Sequence, residues 1–196
     1  NCDETWCKVR KYDHYKKCYI WVLVNKAEHT VIFFYEDGSR GRDVLTNFIG
    51  DAELKSVMTD GYNAYVFIGD ELNVVDKSPN LNKAIHQVCL AHLKGKLEMA
   101  CEQAGDVHAY PFLEGIRFYY RRERQYYEDG LTPEEICKRR QDLESKEVLI
   151  TLRQYLKIEL DKDPSEITPS LLKALNYLDK YWDNLFAFLN DGSLPI

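Results

Sequence analysis

The beginning of the chain alternates apolar runs with polar breaks. Three of the runs are rich in β-branched and aromatic residues and have the length of strands. They cover residues 3–10, 17–25 and 30–36, and the third ends at Asp37-Gly38, a pair typical of a turn. The pattern therefore predicts three consecutive strands.

The next segment combines one helix with two short strands. Residues 42–49 have a helical pattern that ends at Gly50. Residues 55–59 and 86–89 have the composition of strands, and the mostly polar stretch 70–82 lies between them. Three strands, a helix and two further strands follow the order of a ribonuclease-H-like core. We therefore predict an α/β fold with a ribonuclease-H-like mixed five-stranded sheet, flanking helices and a C-terminal α-helical insertion.

The insertion is predicted from the apolar spacing, which changes to three and four positions from Leu90 onward. Thr132-Pro133 offers an N-cap and a first-turn proline, and it predicts a helix that runs to about Leu160. Thr168-Pro169 begins another helix. Its leucine-rich stripe predicts one continuous segment up to Asn190-Asp191-Gly192.

The change of pattern near residue 105 predicts the domain organisation. We expect residues 1–105 to form a core that lacks its closing helix, residues 106–190 to form an all-helical insertion, and residues 191–196 to begin the return to the core. The 196 residues are 45% hydrophobic and 30% charged, as in a globular protein. The longest apolar run, 19–24, is far shorter than the ~20 residues that a membrane span needs.

Acidic residues outnumber basic ones by 32 to 26, which gives a net charge of −6. A protein that binds DNA over its whole surface is expected to be basic. Any role with nucleic acid therefore needs a local basic face, a metal site or further segments. The chain begins without Met and stops abruptly, as a fragment does. Its six cysteines are widely spaced and predict reduced thiols in a cytoplasmic protein.

Two aspartates are candidates for metal chemistry. Asp3 lies in the first predicted strand, and Asp60 lies at the end of the fourth. If these strands are neighbours, their backbones are about 4.8 Å apart, and both carboxylates can reach one Mg²⁺. Such a site would serve two-metal phosphoryl transfer. The alternative is that Asp3 is a strand-edge residue and Asp60 a turn residue before Gly61.

Four short motifs in order resemble the transposases of the insertion-sequence-66 (IS66) family, which belong to the DDE superfamily of ribonuclease-H-like recombinases. The motifs are Cys2-Asp3-Glu4-Thr5, Thr59-Asp60-Gly61-Tyr62-Asn63-Ala64-Tyr65, Cys89-Leu90-Ala91-His92 and Asp191-Gly192-Ser193-Leu194-Pro195-Ile196. The resemblance departs at Leu90, where the family commonly has Trp, and at Leu93-Lys94-Gly95-Lys96, where the family is more arginine-rich.

The resemblance implies a transposase that cleaves DNA strands and transfers them to a target. Asp3 and Asp60 would be its first two catalytic metal ligands, with two Mg²⁺ or Mn²⁺ ions in the complete protein. Its partners would be DNA (transposon ends and target), further copies of itself and accessory transposition proteins. The third acidic ligand, a Glu in an Asn-rich motif, would lie beyond Ile196, so the chain alone is expected to be inactive. The alternatives are a ribonuclease-H-like nuclease without strand transfer and a non-catalytic DNA-binding or assembly remnant.

Several other residues are weaker candidates. His92 is a candidate phosphate contact or a structural histidine at a helix start. Arg117, Arg121 and Arg124 share one helix face, which favours either a DNA-backbone contact or a solvated face paired with glutamates. A second basic group consists of Lys138, Arg139 and Arg140. A cluster of soft ligands fits no standard zinc spacing; its members are Cys2, Cys7, His14 and Cys18.

Overall fold

A computed structural model describes residues 1–11, 13–72 and 78–196 of the chain. These residues form two compact units, Asn1–Val88 and Cys89–Ile196. The helix that begins at Leu90 packs with the helices that follow it. The predicted polar stretch 70–82 lies partly outside the described residues.

The first unit contains all five predicted strands. Strands β1 (Cys2–Lys11), β2 (His14–Asn25) and β3 (Thr30–Glu36) form an antiparallel sheet in the order β1-β2-β3. Strands β4 (Ser56–Thr59) and β5 (Ile85–Val88) pair in parallel. The mixed α/β class is confirmed. The backbone pairing of the described residues forms two sheets, with β1 contacting β4, so a single five-stranded sheet is not confirmed.

Helix α1 (Arg42–Ile49) has the predicted bounds. It ends at Gly50, whose φ of 58° lies in the left-handed region that favours glycine. The helix buries Val44 and Leu45 in the same core as the inner face of the sheet. That core centres on Trp21, which is fully buried and stacks on Phe34 with ring centroids 5.8 Å apart.

The outer face of the three-stranded sheet is apolar and exposed. Ile20 on β2 faces Tyr35 on β3, and Val22 faces Phe33. Three of these side chains, Ile20, Phe33 and Tyr35, are exposed large hydrophobics. The alternation of strand side chains therefore produces one buried face against α1 and one exposed apolar face.

The second unit is helical, as predicted. Its helices are α2 (Leu90–Ala104), α3 (Tyr110–Glu128), α4 (Pro133–Arg140), α5 (Leu143–Leu160), α6 (Pro169–Lys180) and α7 (Trp182–Leu185). In the described ranges, no helix is long and apolar enough to cross a membrane.

Two predicted long helices are each divided, which corrects the sequence analysis. The helix expected from Pro133 to Leu160 breaks because the Asp142 side chain caps α5, accepting a hydrogen bond from the Ser145 N–H at 2.9 Å. The segment expected to run unbroken to Leu189 leaves helical geometry at Tyr181. After this break, Phe186 and Phe188 pack against Tyr119, with centroids 6.0 and 5.7 Å away.

Candidate functional site

Asp3 is exposed on β1, an edge strand of the three-stranded sheet. Its Cα partner on β2 is Val22, and its Oδ1 accepts a hydrogen bond from the Glu4 N–H at 2.9 Å. Successive side chains of a strand point to opposite faces, so Cys2 and Glu4 point inward. Cys2 is 4% exposed and the Glu4 side chain 2%. The strand thus places one carboxylate outward and the next one inward.

Asp60 follows β4 directly and begins a tight turn. Its Oδ1 accepts a hydrogen bond from the Tyr62 N–H at 2.9 Å. Gly61 has a φ of 77°, a left-handed conformation that favours glycine. The Oγ1 of buried Thr59 accepts a hydrogen bond from the Gly61 N–H at 3.3 Å and lies 3.0 Å from His86 Nε2 in β5. The side chains of Thr59 and Asp60 therefore both hydrogen-bond to the backbone of the turn, which fixes the backbone at Asp60.

The carboxylates of Asp3 and Asp60 act on the same two side chains. Burial raises the pKa of the Cys2 thiol to about 12, and the negative charges of Asp3 and Asp60 contribute to that rise. Burial also raises the pKa of Glu4, and the same two charges again contribute. Both carboxylates are thus electrostatic neighbours of the first residues of β1.

Four side chains near these aspartates in the chain form a network that the sequence does not reveal. The Tyr65 hydroxyl donates a hydrogen bond to Glu4 Oε2, and Arg40 Nη2 forms an ion pair with Glu4 Oε1 at 3.0 Å. The Arg40 guanidinium lies 3.8 Å from the centre of the Tyr62 ring, which contacts Tyr65 edge-on at 5.9 Å. Glu4 and Tyr65 belong to the motifs that carry the family resemblance, but only tertiary structure brings Arg40 to them.

Asp3 and Asp60 offer carboxylate oxygens, which suit a hard cation. Carboxylate oxygens are the ligands that Mg²⁺ prefers, and both side chains reach solvent. In the described part of the chain, no group of three or more His, Cys, Asp or Glu residues is placed to hold a metal ion. Nothing there supports the soft-ligand alternative either, since the Cys18 thiol donates to Asp37 Oδ1 at 3.2 Å.

His92 lies exposed in the first turn of α2. Burial alone would raise the pKa of the neighbouring Cys89 thiol, but hydrogen bonds from the His92 side chain and from backbone N–H groups outweigh burial and lower that pKa. This contact favours the structural interpretation of His92 as a histidine at a helix start.

Arg117, Arg121 and Arg124 lie along α3, as predicted. Arg117 Nη1 pairs with Glu114 Oε1 at 2.8 Å, and Arg121 Nη1 lies 3.9 Å from Glu114 Oε2. Arg124 is exposed and forms no ion pair with any described residue. Arg140, in the second basic group, is 3% exposed and binds Glu123, so it is a buried structural residue and not part of a basic surface.

The buried His86 predicts a pH dependence of stability in the first unit. Burial lowers its pKa from 6.5 to about 4, so the imidazole beside Thr59 is neutral at pH 7. Between pH 6.5 and 4 the unfolded chain takes up a proton that the folded state does not. The contribution of neutral His86 to the free energy of unfolding is therefore fully present above pH 6.5. As the pH falls, this contribution is lost, and the free energy of unfolding decreases by roughly 3 kcal/mol in total.

Denaturant titrations between pH 4 and 7.5 on wild type and His86→Gln measure this contribution. The variant should show a flatter dependence of the unfolding free energy on pH. His14→Gln, at an exposed histidine of β2, is the control and should keep the wild-type slope. Equal slopes for wild type and His86→Gln would contradict the assignment.

Comparisons with known proteins identify the family. The family model described as "Transposase IS66 family" matches residues 1–196. An uncharacterized protein, y4jD of Sinorhizobium fredii (strain NBRC 101917 / NGR234), is 30% identical over 191 residues, covering 92% of this chain. The chain spans 35% of the length of that relative. No solved structure gives a significant match. Because the family model matches the whole chain, the chain belongs to the IS66 family of transposases.

Proposed function

We propose that the chain contributes to the catalytic core of a DDE transposase that cleaves DNA strands and transfers them to a target. Asp3 and Asp60 are the metal ligands in this proposal. The observation that carries it is the contact of β1 with β4, together with the hydrogen bond from the Tyr65 hydroxyl, after the turn of Asp60, to Glu4, the neighbour of Asp3. These contacts support placing the two aspartates in one region. The family match supplies the reaction class.

The ribonuclease-H-like architecture is the structural part of the proposal. The five strands and α1 occur in the required order, and β1 contacts β4. We infer that β1 and β4 belong to one mixed sheet in the active core. We likewise infer that residues 1–105 form the core, residues 106–190 the helical insertion and residues 191–196 the return.

The oxygen ligands of Asp3 and Asp60 fit Mg²⁺ or Mn²⁺. When bound, two such ions activate the attacking oxygen and stabilise the leaving oxygen of the phosphodiester. The chain's own part is to orient the ligands. The Glu4 N–H holds one oxygen of Asp3, and the Tyr62 N–H holds one oxygen of Asp60. One oxygen of each carboxylate takes part in these contacts, and in this proposal the other oxygen of each binds the metal.

DNA is the partner in this proposal, and α3 is the candidate contact surface. Arg124 is the strongest candidate because it is exposed and has no ion-pair partner among the described residues. Arg117, Arg121 and His92 are weaker candidates, since each contacts another side chain of its own unit. Further copies of the protein and accessory transposition proteins complete the proposed partners.

Replacing Arg124 by alanine should weaken DNA binding about equally for all sequences. A phosphate contact is lost, so the slope of log affinity against log salt concentration should fall by about one. Fluorescence anisotropy on duplex DNA between 50 and 200 mM salt, roughly the range where phosphate contacts dominate, measures both quantities. Arg153→Ala is the matched control, because Arg153 pairs with Asp179 at 2.9 Å. An unchanged salt slope for Arg124→Ala would remove α3 from the interface.

An assay with the element's own DNA ends tests the proposed reaction. The complete protein that contains this chain is incubated with end-bearing DNA, a target plasmid and Mg²⁺. A transposase gives cleaved ends and joined products. Cleaved ends without joining would favour the ribonuclease-H-like nuclease, and no cleavage with intact DNA binding would favour the non-catalytic remnant.

A further inference from the structure

Four side chains of the first unit form a closed ring that links three segments of the chain. Glu4 on β1 contacts Tyr65 and Arg40, Arg40 lies over Tyr62, and Tyr62 packs edge-on against Tyr65. The ring joins β1, the turn before α1 and the turn after β4. Both proposed ligands are near this ring in the sequence. Asp3 directly precedes Glu4, and Asp60 begins the turn that leads to Tyr62.

We propose that Glu4 is a positioning residue that locks the strand of Asp3 to the turn of Asp60 through Tyr65 and Arg40. This inference rests on the proposed function and adds to it the means by which the two aspartates keep their relative position. Glu4 touches neither substrate nor metal in this proposal, because it points to the face of β1 opposite Asp3.

The burial of Glu4 makes the link strong. Its side chain is 2% exposed, and Tyr65 is fully buried. A buried carboxylate is costly unless it is paired and hydrogen-bonded, so Glu4 stays in place only where both partners reach it. Tyr65 and Arg40 come from different segments, and neither segment can shift without breaking a contact to Glu4.

The contact of Tyr65 with the core supports the role of the four side chains in aligning Asp3 and Asp60. Tyr65 also packs edge-on against Trp21, with centroids 6.2 Å apart, and this contact anchors the phenol ring to β2. The core therefore holds the aromatic group of Tyr65, and only the Tyr65 hydroxyl reaches Glu4. Removing that hydroxyl tests the link with little disturbance of packing.

The first experiment measures Mn²⁺ binding to the complete protein by the electron paramagnetic resonance signal of free Mn²⁺. Tyr65→Phe and Glu4→Ala should each raise the half-saturating Mn²⁺ concentration about tenfold, as expected for a lost buried hydrogen bond. Glu4→Gln should recover part of this loss, because its amide oxygen still accepts from Tyr65. Tyr15→Phe, at an exposed tyrosine of β2, is the control and should bind as wild type.

The double variant Glu4→Ala/Tyr65→Phe makes the test specific. Both substitutions break the same contact, so the double variant should bind Mn²⁺ no more weakly than Glu4→Ala alone. Wild-type binding by both single variants, or additive losses in the double variant, would overturn the proposal. Loss of the folded circular dichroism signal by both single variants would also overturn it, since the ring would then support folding and not alignment.

Asp3→Asn and Asp60→Asn separate this inference from the proposed function. If they abolish Mn²⁺ binding and strand cleavage while Tyr65→Phe and Glu4→Ala behave as wild type, only the positioning role fails. If Asp3→Asn and Asp60→Asn themselves bind Mn²⁺ and cleave DNA as wild type, the proposed function fails.

Discussion

Replacing Asp3 or Asp60 by asparagine should lower the rate of DNA strand cleavage by about a thousandfold, the scale of loss when a group that stabilises transition-state charge is removed. Asparagine keeps the size of the side chain and one oxygen ligand but removes the negative charge that holds a divalent cation. The measurement is single-turnover cleavage of end-bearing DNA by the complete protein in Mg²⁺. DNA binding should stay near the wild-type level in both variants.

Two further variants make the outcome specific to metal ligation. Asp51→Asn, at an exposed aspartate of the same unit, should cleave DNA as wild type. Asp60→Cys should be inactive in Mg²⁺ and regain activity in Mn²⁺, because a thiolate binds the softer ion better. Full activity of Asp3→Asn or Asp60→Asn would show that the carboxylate is a strand-edge or turn residue.

The local elements of the first unit could be predicted from the sequence because their signals are short-range. β3 has the predicted bounds because β-branched and aromatic residues fill it and Asp37-Gly38 ends it. α1 ends at Gly50 because only glycine readily adopts the conformation found there. How the five strands pair depends on contacts between distant segments, and the pattern of each strand does not encode its neighbour.

The breaks within the helical unit were not predicted because the apolar spacing continues across them. Asp142 competes with the helix by capping the following one through its side chain, an effect that periodicity does not reveal. At Tyr181 the chain leaves the helix so that Phe186 and Phe188 can reach Tyr119, which lies on another element. Tertiary packing therefore overrides the pattern at both places.

One part of the candidate site can be predicted from the sequence, and another part is visible only in the fold. The motifs and their spacing predict Asp3 and Asp60 as candidate ligands, and this stays a prediction. The roles of Glu4 and Arg40 could not be predicted, since an acidic residue in a strand and an arginine in a turn both look like surface residues. Only the fold shows that Glu4 is buried and that Arg40 reaches it.

Arg140 likewise looks like a surface residue in the sequence, between Arg139 and Gln141, but it holds the end of the described chain in place. Its Nε and Nη2 donate to both carboxylate oxygens of Glu123 at 2.7 Å. Its guanidinium also donates to three backbone carbonyls, those of Phe188 and Asp191 at 2.7 Å and of Leu194 at 3.1 Å. These five hydrogen bonds match the five N–H donors of an arginine side chain.

Replacing Arg140 by methionine should therefore destabilise the helical unit by about 3–5 kcal/mol, because the carboxylate of Glu123 and three carbonyls lose their donor in a buried site. Urea unfolding followed by circular dichroism at 222 nm (the usual helix signal) reports mainly this unit, which contains α2 to α7. Arg139→Ala removes an exposed neighbouring arginine and should change the unfolding free energy by less than about 0.5 kcal/mol.

The double variant Arg140→Met/Glu123→Leu separates the cost of an unpaired carboxylate from the loss of the carbonyl contacts. Replacing both members of a buried ion pair by apolar residues removes the uncompensated charge, so the double variant should be more stable than Arg140→Met alone. It should remain less stable than wild type, because the carbonyls of Phe188, Asp191 and Leu194 still lack a donor. A double variant as unstable as Arg140→Met would place the whole cost in the carbonyl contacts, and an Arg140→Met protein as stable as Arg139→Ala would contradict the structural role of Arg140.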